Sequence, residues 1–412
     1  MKGGVETGAI AYRIRVDRES LAPAGVLDSG GTTKRRRLVV PGERILVTGG
    51  EYVGVLAAVR ALSAAGYEPW ATSTPDRGYT VRSRAAAGTI AVPDPAADAQ
   101  AFVRRVAESA DDLAVRAILP GTEVALVVLA DRAADLPADT ALGAPSPEVV
   151  DRVTDKAALE GFAREAGLET PPTLLLTSGG GDSALGGNTL PAVVKPLRSE
   201  MRTENGYRHF GARCVRTSAE LSAVLDELPD QRGLVQPFVT GRLAAVAGVM
   251  WDGEMLGGVH MLALRLWPSD CGLISYAVTI PADPELEAGI ARMLRLMDWE
   301  GIFQVDLLRS EGRNLVIDLN PRIYGSLALA QAAGHNHTAI WADLLLGRRP
   351  RIGAYRIGAR YRSEELDPRA LIKTLTGGNV REAARGSCLT AEPRTPSLPP
   401  ATRGQCSRAC GG

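Results

Sequence analysis

The stretch GIFQVDLLRSEGRNLVIDLNPR, residues 301–322, decides how this chain is read. Val305, Leu307, Ile317 and Leu319 alternate with polar residues, so two strands are predicted around the turn at Glu311-Gly312. Folding the hairpin there brings Asp306 opposite Asp318, to within one residue. Asn320 lies two positions on and shares a face with Asp318. Two carboxylates this close repel each other unless a proton or a cation lies between them. Oxygen-only ligands with room left for water and phosphate suit Mg²⁺, or Mn²⁺ in its place. Taken alone, the hairpin fits a solvated acidic face equally well. Pro321 breaks the ladder and turns Arg322 out of it. An arginine beside such a pair can hold phosphate oxygens, or else form an ion pair with one of the aspartates.

Working outward, the lysines come next. Only five of the 47 basic residues are lysine (Lys2, Lys34, Lys156, Lys195 and Lys373), so a lysine where arginine is the rule calls for a reason. A compact ammonium meets a phosphate oxygen as a point charge. Lys195 ends the apolar strand Ala192-Val193-Val194 and is followed by Pro196. Lys156 opens a helix after Asp155, where its charge opposes the helix dipole and a bound anion would offset the cost. The competing reading is an exposed helix lysine. Leu234 to Gly241 is an apolar strand interrupted by Pro237. The break is expected to leave neighbouring backbone groups free for the edge of an adenine, with Phe238 and Val239 as apolar walls. An edge strand would read the same way.

Taken in order, Asp155-Lys156, Val194-Lys195-Pro196, Gln236 to Gly241, Asp306 and Asp318-Leu319-Asn320-Pro321-Arg322 resemble the ATP-grasp superfamily. The likeness is to its carboxylate-amine ligases and to the ATP-grasp domain of the carbamoyl-phosphate synthase large chain. It covers about residues 44 to 350. The resemblance implies that Lys156 and Lys195 contact ATP phosphates and that Gln236, Phe238 and Val239 hold adenine. It also implies that Asp306, Asp318 and Asn320 ligate Mg²⁺, while Arg322 and Lys195 assist phosphoryl transfer. Residues 199–211 would be the lid over the phosphates. The implied reaction is amide formation between a small carboxylate and an amine through an acyl phosphate, releasing ADP and phosphate. Three departures stand out. Aspartate occupies both positions where the family usually has glutamate. Arg242 stands where many members place a ribose-binding acid. The stretch Ser199 to Gly206 is poor in glycine.

The fold class implied is α/β followed by α+β. Residues 1–42 read as a mobile extension, 43–147 as a Rossmann-like pre-ATP-grasp domain and 148–350 as the ATP-grasp domain, with a lid subdomain at about 191–235. Residues 351–386 form a C-terminal segment and 387–412 a disordered tail. Helices are expected at about 98–108, 123–133, 148–166 (two short ones), 218–227, 284–298 and 326–347.

Lys+Arg and Asp+Glu are both 47, so no global field points to nucleic acid or to an anionic membrane. No apolar run reaches the roughly 18 residues of a membrane-spanning helix, and no signal peptide is visible. Five scattered cysteines do not form a disulfide framework, which fits a reduced, cytoplasmic protein; a homodimer is compatible with it. Gly49-Gly50-x-x-x-Gly54 invites an NAD(P)-dependent oxidoreductase reading, but the acid expected about 20 residues on is missing. A non-catalytic ATP-binding protein and a bicarbonate-activating enzyme of the same superfamily also fit the motifs. Arg265 is a candidate for facing a carboxylate substrate, or for a structural ion pair. His335 and His337 read as packing residues rather than metal ligands.

Overall fold

The structure is a computed structural model that describes residues 42–74, 78–178, 190–268 and 272–376. The predicted N-terminal extension as far as residue 41, residues 179–189 and the C-terminal tail lie outside the described residues. The chain as far as Ala370 packs as one unit; Leu371 onward is a second, of which the end of one helix is described.

The first sheet joins β1 (Arg44–Val47), β2 (Glu68–Ser73), β3 (Gly88–Ala91), β4 (Ala117–Leu119) and β5 (Ala141–Leu142), all parallel, in the order β3-β2-β1-β4-β5. The connecting helices are α1 (Val53–Ala64), α2 (Ala99–Asp112) and α3 (Glu123–Asp131). Ile45, Leu46, Val47, Ile118 and Leu119 are fully buried, as parallel strands covered on both faces must be. The strand order reverses between β1 and β4, which opens a crevice beyond their carboxyl ends. Thr122 caps α3 there through Ala125 N–H.

Two short helices follow, α4 (Pro147–Thr154) and α5 (Lys156–Glu165). Asp155 divides them because its carboxylate takes the N–H groups of Ala157 and Ala158, at 2.8 and 3.3 Å. Next come β6 (Leu174–Thr177), β7 (Ala192–Lys195), the hairpin β8 (Glu200–Thr203) and β9 (Gly206–His209), β10 (Arg213–Val215), α6 (Ser218–Glu227) and β11 (Arg232–Pro237). Four of these strands form an antiparallel sheet in the order β10-β7-β11-β6, with α6 on one face. This sheet therefore starts ahead of residue 191, because β6 pairs with β11.

The largest sheet is antiparallel and has six strands. It joins β12 (Arg242–Trp251), β13 (Glu254–Trp267), β14 (Leu273–Thr279), β15 (Gly301–Ser310), β16 (Arg313–Asn320) and β17 (Arg360–Arg362), in the order β16-β15-β12-β13-β14-β17. Helix α7 (Pro284–Leu296) and helices α4 and α5 pack on one face with Met293, Trp299 and Phe303. Helices α8 (Leu327–Ala332) and α9 (His337–Leu345) pack on the other and share a core with α1 and the first sheet. The helical stretch expected at 326–347 is thus two helices, because the chain turns through Gly334 at φ +106° and restarts under the Asn336 cap. The last helix is α10 (Leu366–Thr376).

Candidate active site

Glu311 and Gly312 have φ of +49° and +81°, a two-residue turn with both central residues left-handed, which matches the twist of β15 and β16. From this turn the register runs Ser310↔Arg313 to Leu307↔Val316. It then shifts, so that Asp306 faces Asp318 rather than Ile317. One extra residue, Ile317, makes a β-bulge. Without it Asp318 would pair with Val305 and point to the opposite face. The bulge also turns the Ile317 carbonyl to the Lys195 ammonium, which donates to it at 2.7 Å.

The charges then assemble. Lys156 donates to Asp318, and both are largely buried. Burial alone would raise the Asp318 carboxyl, but Lys156, Lys195 and Arg322 outweigh it and hold it below the ordinary carboxylate value. Burial likewise pulls Lys156 down, yet Asp318 and Glu123 leave it above the ordinary lysine value. The anion that offsets the helix dipole at Lys156 is thus Asp318. Asp306 behaves differently: burial first, then the charge of Asp318, pushes its carboxyl up to about 7. One of its oxygens, Oδ2, accepts from Asn320 Nδ2 at 3.1 Å; the other, Oδ1, is buried and has no hydrogen-bond partner among the described residues. An orphaned carboxylate oxygen opposite a second carboxylate fits a hard divalent cation. No group of three or more His, Cys, Asp or Glu side chains gathers among the described residues, so water and phosphate would have to complete the shell. Asn320 is the weaker member of the expected set, because its amide oxygen already accepts from Arg322 Nη2 at 3.1 Å.

Arg322 is held by Asn320, by the Ile323 carbonyl at 2.9 Å and by the Tyr52 hydroxyl at 3.3 Å, with no aspartate ion pair among the described residues. Gln236 donates to Thr173 Oγ1 at 3.0 Å. The Phe238 N–H, expected to be free, donates to the Pro191 carbonyl at 2.8 Å, because the chain beyond Pro237 still runs beside the start of β7. Phe238 is 40% exposed and Val239 follows it at the cavity wall. A single cavity of about 900 Å³ is lined by Lys156, Lys195, Gln236, Phe238, Val239, Asp306, Asp318, Asn320 and Arg322.

Three residues at the site were missed in the sequence. Tyr52 comes from the glycine-rich turn after β1. Glu123, buried at the start of α3, is raised by burial and steadied by the charges of Arg322 and Lys156. His209 on β9 lines the cavity and shares a hydrogen bond with Glu200 at 2.9 Å. The available signal was the position of Tyr52 and Glu123, just past the two strand ends that flank the crevice. Arg265 pairs with Asp367, itself 1% exposed, so the structural ion pair is the reading that holds. His335 and His337 are buried against the Gly257 carbonyl.

No protein-family model and no curated protein matches the chain. Solved structures do. An L-amino acid ligase from Bacillus licheniformis superposes with a TM-score of 0.54 at 14% identity, over 74% of each chain. The biotin carboxylase of Campylobacter jejuni gives 0.58 at 14%, over 77% of this chain and 74% of that one. The N5-carboxyaminoimidazole ribonucleotide synthetase of Thermus thermophilus gives 0.55 at 20%, over 77% and 81%. The fold is ATP-grasp. In ATP-grasp terms, the first sheet is the Rossmann-like pre-ATP-grasp part, the four-stranded sheet is the lid, and the six-stranded sheet carries the acidic hairpin.

Proposed function

We propose that this protein is an ATP-dependent ligase that joins a small carboxylate to an amine. The observation that carries the reading is the Lys156–Asp318 ion pair in the shared cavity, between the acidic hairpin and the segment Gln236 to Gly241. A buried pair of opposite charges is costly to desolvate, and its geometry must compensate. Mg²⁺ and ATP would bring the same two charges separately: a cation for the aspartates, a polyphosphate for Lys156 and Lys195. Asp306 and Asp318 would hold the cation, with Asn320 beside them. When bound, the cation would neutralise phosphate oxygens and favour charge migration in the transferring group.

This chain's own groups do the rest. Lys195, anchored on the Ile317 carbonyl, and Lys156 face the phosphates, and Arg322 presents a planar fork to the phosphoryl group. Gln236, Phe238 and Val239 border the adenine end. A substrate carboxylate oxygen attacks the γ-phosphorus, ADP leaves, and an acyl phosphate forms where the β8–β9 hairpin excludes water. The amine attacks the acyl carbon, loses a proton and expels phosphate. Among the similar structures are an L-amino acid ligase and a biotin carboxylase, so bicarbonate belongs in the same assay.

The test is turnover of ATP with Mg²⁺ against amino acids, other small acids and bicarbonate, scored for ADP, phosphate and product. Equal amounts of ADP, phosphate and amide are expected. Tight nucleotide binding with no carboxylate-dependent ADP would reduce the protein to a binding module.

A further inference from the structure

The proposed reaction leaves one motif unused, the turn Gly49-Gly50-Glu51-Tyr52-Val53-Gly54. Its glycines face protein. A Cβ on Gly50 would lie 2.2 Å from Thr80 Oγ1 and 2.6 Å from the Thr72 carbonyl; one on Gly54 would lie 2.6 Å from the Tyr324 carbonyl. Chain atoms therefore fill the space that a dinucleotide-binding turn gives to a pyrophosphate. Gly54 lets the turn dock against Tyr324, two residues beyond Arg322.

Tyr52 sits in the middle of that docked turn. Its hydroxyl accepts from Arg322 Nη1 at 3.3 Å, and the guanidinium carbon lies 5.4 Å from its ring centroid. The other hydrogen-bond partners of Arg322, Asn320 and Ile323, are its own neighbours in sequence and move with it. Among the described residues, Tyr52 is the hydrogen-bond partner that comes from elsewhere in the fold. A guanidinium recognises phosphate through a fixed fork, so its plane must be set before the ligand arrives.

We propose that Tyr52 is a positioning residue: the first sheet's glycine-rich turn fixes the plane of Arg322 and so tunes how the site grips the terminal phosphoryl group. The inference rests on the nucleotide reading above.

The experiment compares dissociation constants for ATP and ADP, both with Mg²⁺, on the full chain. The variants are Tyr52→Phe, Tyr52→Leu, Arg322→Ala and the double variant Tyr52→Leu/Arg322→Ala. Wild type should prefer ATP, and Arg322→Ala should cut that preference about tenfold, the scale of one charge-assisted contact. Tyr52→Leu should cut it about fivefold with thermal stability kept, and Tyr52→Phe, which keeps the ring, should restore most of it. The double variant should be no worse than Arg322→Ala alone, because the effect of Tyr52 runs through that arginine.

A Tyr52→Leu preference equal to wild type, or losses that multiply in the double variant, would overturn the proposal. So would an equal loss of ATP and ADP affinity with a lowered melting temperature, the mark of a structural role, or equal wild-type affinity for both nucleotides. Wild type with no affinity for either nucleotide would instead defeat the ligase reading itself.

Discussion

Asp306 and Asp318 stand on a sheet packed on both faces, by α4, α5 and α7 on one side and α8 and α9 on the other. Lys195 and Gln236 stand on a four-stranded sheet whose core is a small, separate cluster around Leu176, Val194, Leu221 and Val235. Among the described residues no buried apolar cluster spans the two. They meet through polar contacts, Lys195 to the Ile317 carbonyl and Lys156 N–H to the Leu197 carbonyl, while the β8–β9 hairpin rests on the first sheet through Tyr207, whose N–H donates to the Ala96 carbonyl and whose ring packs on that sheet's core. Apolar cores hold elements together permanently, whereas polar contacts trade with water at small net cost. On the proposed reading, the groups that need fixed geometry belong to the deep body, and those that would let a nucleotide in belong to the part held by polar contacts.

The sharpest way to break this contrast is Asp318→Asn, which strikes the body at its centre. Turnover should fall about a thousandfold, the scale of losing a preorganised electrostatic contact in a buried site. The same change leaves Lys156, Lys195 and Arg322 close together without their shared counter-ion. Unfolding should therefore become easier by about 3 kcal/mol, and ATP should recover part of that loss by supplying negative charge. Steady-state assays and thermal melts with and without ATP check both parts. A variant that melts and turns over like wild type would move the chemistry off the body.

How much of this was legible in advance follows the same division. The alternation around Asp306 and Asp318 and the turn at Glu311-Gly312 predicted the hairpin, because strand period and turn chemistry are local. The bulge at Ile317 was not legible: it shifts the register six residues from the turn and is met by a lysine 122 positions away. Lys156 was singled out at its helix start, but its partner lies 162 positions on. Tyr52 was passed over because docking of the first turn against Tyr324 depends on how two sheets share a core. The place of Leu174–Thr177 in the four-stranded sheet was not legible either, since nothing local in it says that it pairs with β11.

A smaller effect separates the two regions by acid. His337 is fully buried in the body, with Nε2 at 2.6 Å from the Gly257 carbonyl and Nδ1 at 2.8 Å from the Tyr324 hydroxyl. Burial pushes its pKa down from 6.5 to about 4. Below pH 6.5 the unfolded chain takes up a proton that the folded one refuses, so stability is intact above that pH and drains away towards pH 4. The loss reaches about 3 kcal/mol at the acid end. His337→Gln, which can still donate and accept, should flatten this part of the pH profile in denaturant melts. The lid's own opening, followed by hydrogen exchange, should not track it; a lid that loosens in step with the body would mean that the two share a core after all.

The mildest prediction tests the detachable part alone. Gly206 closes the β8–β9 hairpin at φ +103°, and a Cβ there would lie 1.9 Å from the Ala96 carbonyl, which accepts from the Tyr207 N–H at 2.7 Å. A valine at this position cannot keep that approach, and the left-handed backbone resists it as well. The hairpin should lift from the loop that follows β3. Because the hairpin is a two-stranded sheet of its own that gives the first sheet's core only the partly buried Tyr207 among the described residues, global stability should fall by no more than about 1 kcal/mol. The KM for ATP should rise about tenfold with kcat changed less, since the body's acids and arginine are untouched. Limited proteolysis should find new cleavage within residues 199–211 and none in the six-stranded sheet. If Gly206→Val instead lowers kcat as far as Asp318→Asn does, the hairpin is part of the chemical machinery and the division between rigid body and mobile cover fails.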